Sequence, residues 1–264
     1  MENYEAFIRF GSFLGVFITF AILETVLPDR TRKMKRMQRW SGAFALLFLG
    51  GFFAKLILPL GLAVIAIWAK NNDFGILNQF SSFPAWGVFV LSFLALDLAI
   101  WAQHVATHKI GFLWRLHRVH HTDPDVDVST ALRFHPAEIA LSLGWKVAVV
   151  ILLGASAEAV LWFQIVLNAS ALFNHANVKL PDRLDSVLRP LIVTPAMHRV
   201  HHSILQKESD TNYGFFLSIW DRIFGTYTAQ FSEAGKAQIG QVNFQSQKDQ
   251  RPDQLFIQPL RTEN

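Results

Sequence analysis

The 264-residue chain contains no cysteine. This absence excludes disulfide bonds, iron–sulfur clusters with cysteine ligands and a haem bound through a thiolate. The sequence has neither the glycine-rich fingerprint of a flavin or nicotinamide site nor a fused haem domain. The net charge of +4 is modest and the basic residues are local, so we expect no nucleic-acid partner.

Apolar residues are abundant in this chain. Hydrophobic residues make up 52% of the sequence, including 24 Phe and 8 Trp, and the mean hydropathy is +0.27. Soluble domains contain roughly 45 to 50% apolar residues. Apolar stretches run over residues 7–27, 41–68, 85–103 and 137–174. Because the first is already long enough to cross a hydrocarbon core of about 30 Å, the composition predicts one integral membrane unit.

The two longest stretches decide between four and five crossings. Residues 41–68 include Pro59 and Gly61 and form either one long, kinked span or two half-spans, of which we favour the single span. Residues 137–174 are interrupted near Gly154 and Glu158. Two crossings of about 17 to 19 residues therefore fit there as a hairpin.

A basic run directly after the first span predicts the orientation. It consists of Arg30, Arg32, Lys33, Lys35, Arg36 and Arg39. Such a run marks the cytoplasmic side, and we interpret it as a solvated surface with no further role. Three crossings then precede His104, the N-terminus lies outside, and the later hairpin returns His175 to the same face. We therefore expect the histidines to face the cytoplasm.

Histidines occur with the spacing of a metal site. The patterns are His104-x-x-x-His108, His117-x-x-His120-His121 and His198-x-x-His201-His202, and His175 is a further candidate. Residues three and four apart lie on one face of an α-helix, so each pattern directs its imidazoles to one side. Because one tetrahedral ion uses about four ligands, these donors suit two metals about 3.5 to 4 Å apart. Adjacent residues such as His120 and His121 would reach different ions.

Imidazole suits iron, zinc, copper and nickel, so the donor type alone does not select the metal. No histidine has Glu or Asp three residues before it, which excludes the Glu-x-x-His pairs of soluble di-iron bundles. The sequence therefore predicts a site dominated by nitrogen ligands. Such a site at a membrane face would suit the oxidation of a lipid chain by activated oxygen.

Carboxylates close to these patterns are candidates to accept from ring N–H groups and so fix the ring orientation. They are Asp97, Asp123, Asp125, Asp127, Glu138 and Asp210. For Asp97 a histidine partner and a contact between helices both remain open. We interpret the three aspartates around Pro124 as a solvated turn. His135 is interpreted as a supporting donor rather than a tenth ligand.

The histidines belong to longer motifs. These are Leu113-Trp114-Arg115-Leu116-His117-Arg118-Val119-His120-His121, Leu132-Arg133-Phe134-His135-Pro136, Asn174-His175, His198-Arg199-Val200-His201-His202, Asp210-Thr211-Asn212-Tyr213-Gly214 and Trp220-Asp221-Arg222-Ile223-Phe224-Gly225-Thr226-Tyr227. Together with His104 and His108 they resemble the fatty acid hydroxylase and sterol desaturase superfamily. The resemblance covers roughly residues 90 to 228.

This resemblance implies a membrane-bound, non-haem di-iron enzyme that uses O2 and electrons from a separate donor to hydroxylate or desaturate a lipid. The implied ligands are His104, His108, His117, His120, His121, His175, His198, His201 and His202. His135, Asp210 and Asn212 are expected to support the cofactor. Some members have another histidine four residues from the one matching His175, whereas Ala171 and Lys179 stand here, which leaves one metal position open.

The spans and the resemblance together predict an all-α, multi-pass membrane protein with four or five transmembrane helices and a cytosolic, histidine-rich di-metal cap. Residues 1–84 would form N-terminal transmembrane helices and residues 85–229 a fatty acid hydroxylase-like catalytic domain. Residues 230–264 are polar, and we expect a soluble C-terminal tail with loose order. The family acts on fatty acyl chains, sterols, carotenoids and alkyl ethers, and the sequence does not choose among these substrates.

Two other classes of protein share parts of the pattern. A histidine-rich membrane metal transporter would place its ligands near the bilayer midplane, whereas these histidines lie at the ends of the apolar stretches. A membrane acyltransferase would use the His-x4-Asp spacing of His120 and Asp125. That alternative leaves the remaining histidines without a role, and its activity would survive chelation and need no O2.

Overall fold

The structure, a computed structural model, describes residues 2–80, 82–234 and 238–262. Within these ranges the chain is helical, without a β-strand and with three isolated bridges. The α-helices are α1 (Glu2–Val26), α2 (Arg36–Ile57), α3 (Leu62–Asn71), α4 (Ala85–Lys109), α5 (Gly111–His121), α6 (Pro136–Leu153), α7 (Ala157–His175), α8 (Asp182–Leu188), α9 (Pro195–His201), α10 (Gln206–Ser209), α11 (Ile219–Ile223) and α12 (Pro252–Ile257). The all-α prediction is confirmed.

Among the residues that the structure describes, four segments are long and apolar enough to cross a membrane. They are Glu5–Val26, Arg36–Gln79, Ala85–Lys109 and Pro136–Leu153. Their outer faces carry large apolar side chains, such as Phe10 at 65% exposure and Phe48 at 72%. Apolar surface in water costs about 25 cal/mol per Å², whereas the same surface faces lipid favourably. These four segments confirm the prediction of four or five spans.

The second span is broken in its middle. α2 ends at Ile57 and α3 begins at Leu62, with Pro59 and Gly61 between them. Proline has no N–H to continue the helical hydrogen bonds, and Gly61 adopts a φ of 80°, which favours glycine. The sequence of the connection therefore causes the break.

α2 and α3 nevertheless make one pass, because together they run the length of α6. α2 approaches α6 closely at Gly50, where a Cβ atom would lie 2.1 Å from Cδ1 of Ile139 near the start of α6. After α3, Gly75 lies against the backbone of Gly154 at the end of α6. This direction confirms the single-span interpretation.

The remaining long helices alternate in direction. α4 runs antiparallel to α6, since the Trp145 indole donates to the carbonyl of Ala99 at 2.9 Å while the backbone N–H of Ser156, beyond α6, donates to Ser92 nearer the start of α4. α7 follows the turn at Gly154 and returns, which confirms the predicted hairpin. The end of α4, the start of α6 and the end of α7 therefore lie at one face, where α5 and α9 complete a cap.

The C-terminal tail packs onto this cap instead of remaining loose. Leu255 of α12 is fully buried in one cluster with Leu46 and Val119. The Arg118 guanidinium donates to the carbonyl of Gln258 at 2.6 Å. The expectation of loose order is wrong for residues 238–262. The segment is polar on average, but one short apolar turn and a few buried hydrogen bonds are enough to hold it on the cap.

Candidate metal centre

Four helices supply the clustered histidines. α4 contributes His104 and His108 from its last turns, and α7 ends at His175. α5 contributes His117, His120 and His121, and α9 with its C-cap contributes His198, His201 and His202. α9 starts at a proline and is capped by Thr194, whose hydroxyl accepts from the N–H of Met197. This cap fixes where the histidine pattern of α9 begins.

The rings form two groups in the interior of the cap. The five-ring group contains His104, His108, His117, His121 and His201, and the four-ring group contains His120, His175, His198 and His202. Within each group one nitrogen of every ring lies within 4.8 Å of those of the other rings, and all nine residues are buried. Adjacent residues separate as predicted, with His120 in one group and His121 in the other.

Hydrogen bonds on the outer nitrogens fix the ring orientation in the five-ring group. Nδ1 of His104 donates to the carbonyl of Tyr213 at 2.7 Å, and Nδ1 of His117 donates to Oε1 of Glu138 at 2.6 Å. A neutral imidazole carries one N–H, so each Nε2 then presents a lone pair. These two Nε2 atoms lie 3.1 Å apart. Two facing lone pairs at this distance repel each other, and a cation bound by both nitrogens would remove the repulsion.

The four-ring group follows the same rule. Nδ1 of His175 donates to the carbonyl of Ala171 at 2.7 Å. Its Nε2 lies 3.0 Å from Nε2 of His120 and 3.0 Å from Nε2 of His198. Two nitrogens bound at about 2.1 Å to one ion, at right angles to each other, lie about 3.0 Å apart. The spacing of the rings therefore fits a metal site.

Several buried ring nitrogens have no hydrogen-bond partner in the part of the chain that the structure describes. They include both nitrogens of His121 and of His202, and Nε2 of His201. Buried polar atoms are almost always satisfied, and an unsatisfied one costs about 1 to 3 kcal/mol. Ligation would satisfy these atoms. The orphaned nitrogens are thus a second observation that fits a metal.

Burial also keeps the rings in the form that binds metals. It lowers the pKa of His198 and His202 well below the ordinary value, and neighbouring rings lower it further. Burial lowers the pKa of His201 to about 3, although its bond to the carbonyl of Thr211 opposes the shift. Metal ligation needs neutral imidazole. At neutral pH these rings are therefore unprotonated, and each has a lone pair that can bind a metal.

Two of the six candidate carboxylates lie beside rings. Glu138 accepts from His117, and Oδ1 of Asp210 lies 3.4 Å from Nδ1 of His108. Asp97 does not contact a histidine, because its Oδ2 accepts from the indole of Trp220 at 2.8 Å. The contact between helices is thus the correct alternative for Asp97.

The aspartates around Pro124 are not a solvated turn. Asp123 and Asp127 are 1% exposed and bind Arg39, which donates to Asp123 through Nε at 2.6 Å and through Nη2 at 2.8 Å. Nη1 of Arg39 donates to Asp127 at 2.7 Å. Arg133 lies 3.7 Å from Asp123 and completes this arginine–aspartate network. Both the turn and Arg39 of the basic run were predicted to be solvated, and that prediction is wrong because each supplies the other's counter-charge.

His135 and Asn212 lie outside both groups of rings. Nδ1 of His135 accepts from the N–H of Ala137 and caps α6, and its Nε2 donates to the carbonyl of Phe256 at 3.0 Å. The Asn212 amide donates to the carbonyls of Met197 and Thr228. Asn212 therefore ties the start of α9 to residues 226–228 and holds rings only through the backbone.

The pairing that an acyltransferase would need is absent from the described residues. Asp125 accepts from the backbone N–H groups of Lys33 and Met34. Nε2 of His120 faces His175 instead. The His-x4-Asp spacing is thus coincidental.

Other groups that position the rings had no signal in the sequence patterns. Backbone carbonyls of Ala171, Thr211 and Tyr213 accept from ring N–H groups. A carbonyl acceptor can come from any residue type, so no residue pattern predicts it. For Glu138 a signal exists, since its position in the first turn after Pro136 places it beside the preceding loop.

A cavity of about 250 Å³ leads from the rings into the helix bundle. At one end it reaches His104, His117 and Glu138. Most of its walls are apolar, from residues that include Phe13, Leu47, Ile100, Leu132, Leu167 and Phe215. A narrow apolar cavity with a few polar groups is typical of a binding site for a hydrocarbon chain.

A sequence model of the family described as fatty acid hydroxylase matches residues 89–226, just over half of the chain. The chain belongs to the fatty acid hydroxylase family. The matched region includes all nine clustered histidines. This membership confirms the resemblance noted in the sequence.

Three curated relatives show how far the similarity extends. Ornithine lipid hydroxylase OlsE of Rhizobium tropici is 33% identical over 138 residues, which cover 52% of this chain and 41% of the relative. Alkylglycerol monooxygenase of Homo sapiens is 30% identical, over 53% of this chain and 30% of the relative. Lathosterol oxidase of Mus musculus is 28% identical, over 61% and 52%. The match thus spans about a third to a half of these relatives. No solved structure matches the chain significantly.

Proposed function

We propose that this protein is a membrane-bound, non-haem di-iron oxidoreductase that uses O2 to hydroxylate or desaturate a C–H bond of a lipid. The observation that carries the proposal is the pair of facing Nε2 lone pairs of His104 and His117, 3.1 Å apart, at the end of an apolar cavity. The relatives' names describe a hydroxylase, a monooxygenase and an oxidase, which supports oxidation chemistry.

The nine histidines would hold two ions, one in each group of rings. When bound, the irons would supply the activation of O2 for attack on a C–H bond. Glu138 holds His117 with its lone pair toward the group, and the Tyr213 carbonyl does the same for His104. The apolar walls of the cavity would align a hydrocarbon chain with the rings and exclude water.

Hydroxylation of this kind consumes two electrons and two protons, because one oxygen atom of O2 enters the lipid and the other leaves as water. We infer that a separate redox partner supplies the electrons, since the sequence carries no flavin, nicotinamide or haem motif. We also infer that the cap faces the cytoplasm, where the basic run between α1 and α2 would lie.

Elemental analysis of the purified full-length chain tests the metal assignment. We expect two irons per chain after expression with added iron. His120→Ala should lower both the iron content and lipid oxidation, because it removes one of the four rings of its group. His135→Ala is the matched control, since His135 lies in the same cap outside both groups. Iron content and oxidation that survive His120→Ala would contradict the proposal.

The orientation can be tested separately, because the chain has no cysteine of its own. Asn72→Cys places a thiol at the end of the bundle away from the cap, and Arg183→Cys places one on the cap side. Both positions are exposed. In intact cells an impermeant maleimide should label Asn72→Cys but not Arg183→Cys. The reverse labelling would place the histidines outside the cytoplasm.

A further inference from the structure

The end of the cavity farthest from the rings is polar. Lys146 of α6 and Asn168 of α7 line it. An α-helix rises about 1.5 Å per residue, so Lys146 lies about 12 Å along α6 from Glu138, the residue that binds His117. By the same measure Asn168 lies about 10 Å along α7 from His175. The two side chains therefore lie at one depth on the cavity wall, where Lys146 is partly buried and Asn168 is exposed.

Neither side chain has a hydrogen bond or an ion pair with a residue that the structure describes. The charged side chain with an electrostatic effect on Lys146 is Arg9 of α1, and the two repel each other because both are cations. Glu5 is engaged with Arg9 at 3.5 Å. A lysine at the centre of a membrane helix costs about 2.5 to 3.5 kcal/mol, and such residues usually have a partner. This end of the cavity is therefore positively charged and lacks a counter-ion within the described chain.

Lys55 shows what a lysine in a lipid-facing position does. It lies near the end of α2 with an exposed side chain, and its ammonium donates to the carbonyl of Pro59. Lys146 instead faces the cavity and is partly buried. Anchoring in the surrounding lipid therefore accounts for Lys55 and not for Lys146.

A polar stripe connects Lys146 with the rings. Glu138, Ser142 and Lys146 follow one another at intervals of four residues, so they share one face of α6, and all three line the cavity. The Ser142 hydroxyl donates to Oε1 of Gln103 at 3.2 Å across to α4. The cavity therefore has polar groups at its two ends and an apolar surface opposite the stripe.

We propose that Lys146, with Asn168, binds the carboxylate of a single-chain lipid, so that the part of the chain about 12 Å away reaches the histidine rings. A carboxylate supplies the missing negative charge and accepts from both the ammonium and the amide. A cavity of about 250 Å³ holds one narrow chain rather than a lipid with two chains and a phosphate. An extended chain advances roughly 1.2 Å per bond, so about ten bonds would separate the carboxylate from the oxidised carbon.

The binding of palmitate to the full-length chain in phosphatidylcholine nanodiscs tests this assignment, with 1-hexadecanol as the uncharged probe. Lys146→Met keeps the length of the side chain and removes its charge. We expect palmitate to bind about 10- to 100-fold more weakly to this variant, since the lost hydrogen bond involves two charged groups. Lys146→Arg should restore most of the affinity. The matched control, Lys55→Met, removes another lysine from a membrane helix and should leave the affinity unchanged.

Equal palmitate affinity in the original chain and in Lys146→Met would overturn the proposal. An equal loss of hexadecanol affinity would also overturn it, because it would indicate damage to the cavity rather than a lost charge pair. The assignment of an oxidised carbon depends on the proposed function, but binding is measured without turnover. Failure of the oxidation assay and failure of carboxylate recognition are therefore separate results.

Discussion

The cap contains two buried polar clusters that differ in how they are satisfied. The arginine–aspartate network has two positive and two negative side chains, from Arg39, Arg133, Asp123 and Asp127. Its charges balance within the chain, and Thr130 supplies a further hydrogen bond to Asp123. In the histidine cluster, by contrast, lone pairs face one another and several ring nitrogens have no partner among the described residues.

This contrast separates a cluster that folding completes from one that needs a ligand. Burial of a polar group is unfavourable unless it is satisfied, and a partly satisfied network is worse than an apolar core. The network meets the requirement by itself, so it serves to hold the structure. The rings meet it only when a cation is present, so their arrangement reflects binding.

The two clusters are also joined mechanically. Nε of Arg133 donates to the carbonyl of Val119, which lies between ring-bearing residues of α5. Asp123 follows His121 by two residues. The network therefore holds the helix that carries three of the nine rings, and the rings can be placed accurately before a metal arrives.

Lowering the pH should destabilise the metal-free protein first through the rings. Burial lowers the pKa of His201 to about 3, against an ordinary value of 6.5. The unfolded chain then binds more protons below pH 6.5, so stability is lost as the pH falls from 6.5 towards 3, by roughly 5 kcal/mol for this ring alone. The measurement is the melting temperature against pH, with and without metal.

The network should fail only at lower pH. Burial raises the pKa of Asp123, but the charges of Arg39 and Arg133 outweigh burial and hold that pKa at about 2. Its contribution is present above pH 3.8 and is lost between 3.8 and about 2. Bound metal should protect the rings and move the first loss to lower pH. A melting temperature of the metal-free protein that stays constant down to pH 4 would contradict the distinction between the clusters.

Arg39→Met should destabilise the fold by about 3 to 5 kcal/mol, because it leaves two buried carboxylates without their main counter-charge. Thermal unfolding in detergent measures the effect. Arg32→Met is the matched control from the same basic run, since Arg32 is partly exposed and lies 3.7 Å from Glu24. Glu24 is buried, but it keeps its closer partner Arg36 at 3.0 Å in this variant, so we expect a loss of only about 1 kcal/mol. Similar losses of stability in both variants would show that the arginine–aspartate network contributes no more to the fold than the Arg32–Glu24 pair.

The sequence predicted the parts of the structure that depend on local spacing. Long apolar stretches predict membrane passes, and histidines three and four residues apart predict rings on one side of a helix. Adjacent residues point about 100° apart, which is why the separation of His120 from His121 could be predicted. The partner of Asp123 could not be foreseen, because Arg39 is 84 residues away and a run of basic residues ordinarily lies at the surface. Pairing between distant residues depends on the packing of α2 beside the loop, which no local pattern contains.

The roles of His135 and Glu138, which lie within one turn of helix, also could not be predicted from residue type alone. Pro136 begins α6, which makes His135 its N-cap and turns that ring back to the N–H of Ala137. Glu138 then points to the rings. The residue type favoured His135 as the supporting donor, whereas the geometry of the helix start selected Glu138.

Glu138→Ala should weaken metal binding at the five-ring group about 10- to 100-fold, since loss of a carboxylate that orients a ligand has effects of this size. A chelator titration should then show one ion held less tightly than the other. Glu158→Ala is a matched control, because Glu158 occupies the first turn of α7 as Glu138 occupies that of α6, but with an exposed side chain. Unchanged affinity in Glu138→Ala would mean that packing alone orients His117.

His135→Ala should have the smallest effect, a loss of about 0.5 to 2 kcal/mol from the missing N-cap of α6. Metal content should not change, because the ring caps the helix and holds the carbonyl of Phe256 rather than joining either group. His135→Asn provides the decisive comparison. Asparagine is a strong N-cap residue, so it should restore most of the melting temperature while supplying no imidazole. Metal loss in both variants would instead make His135 a tenth ligand, and structural and ligand-binding polar groups would then not be separate in the cap.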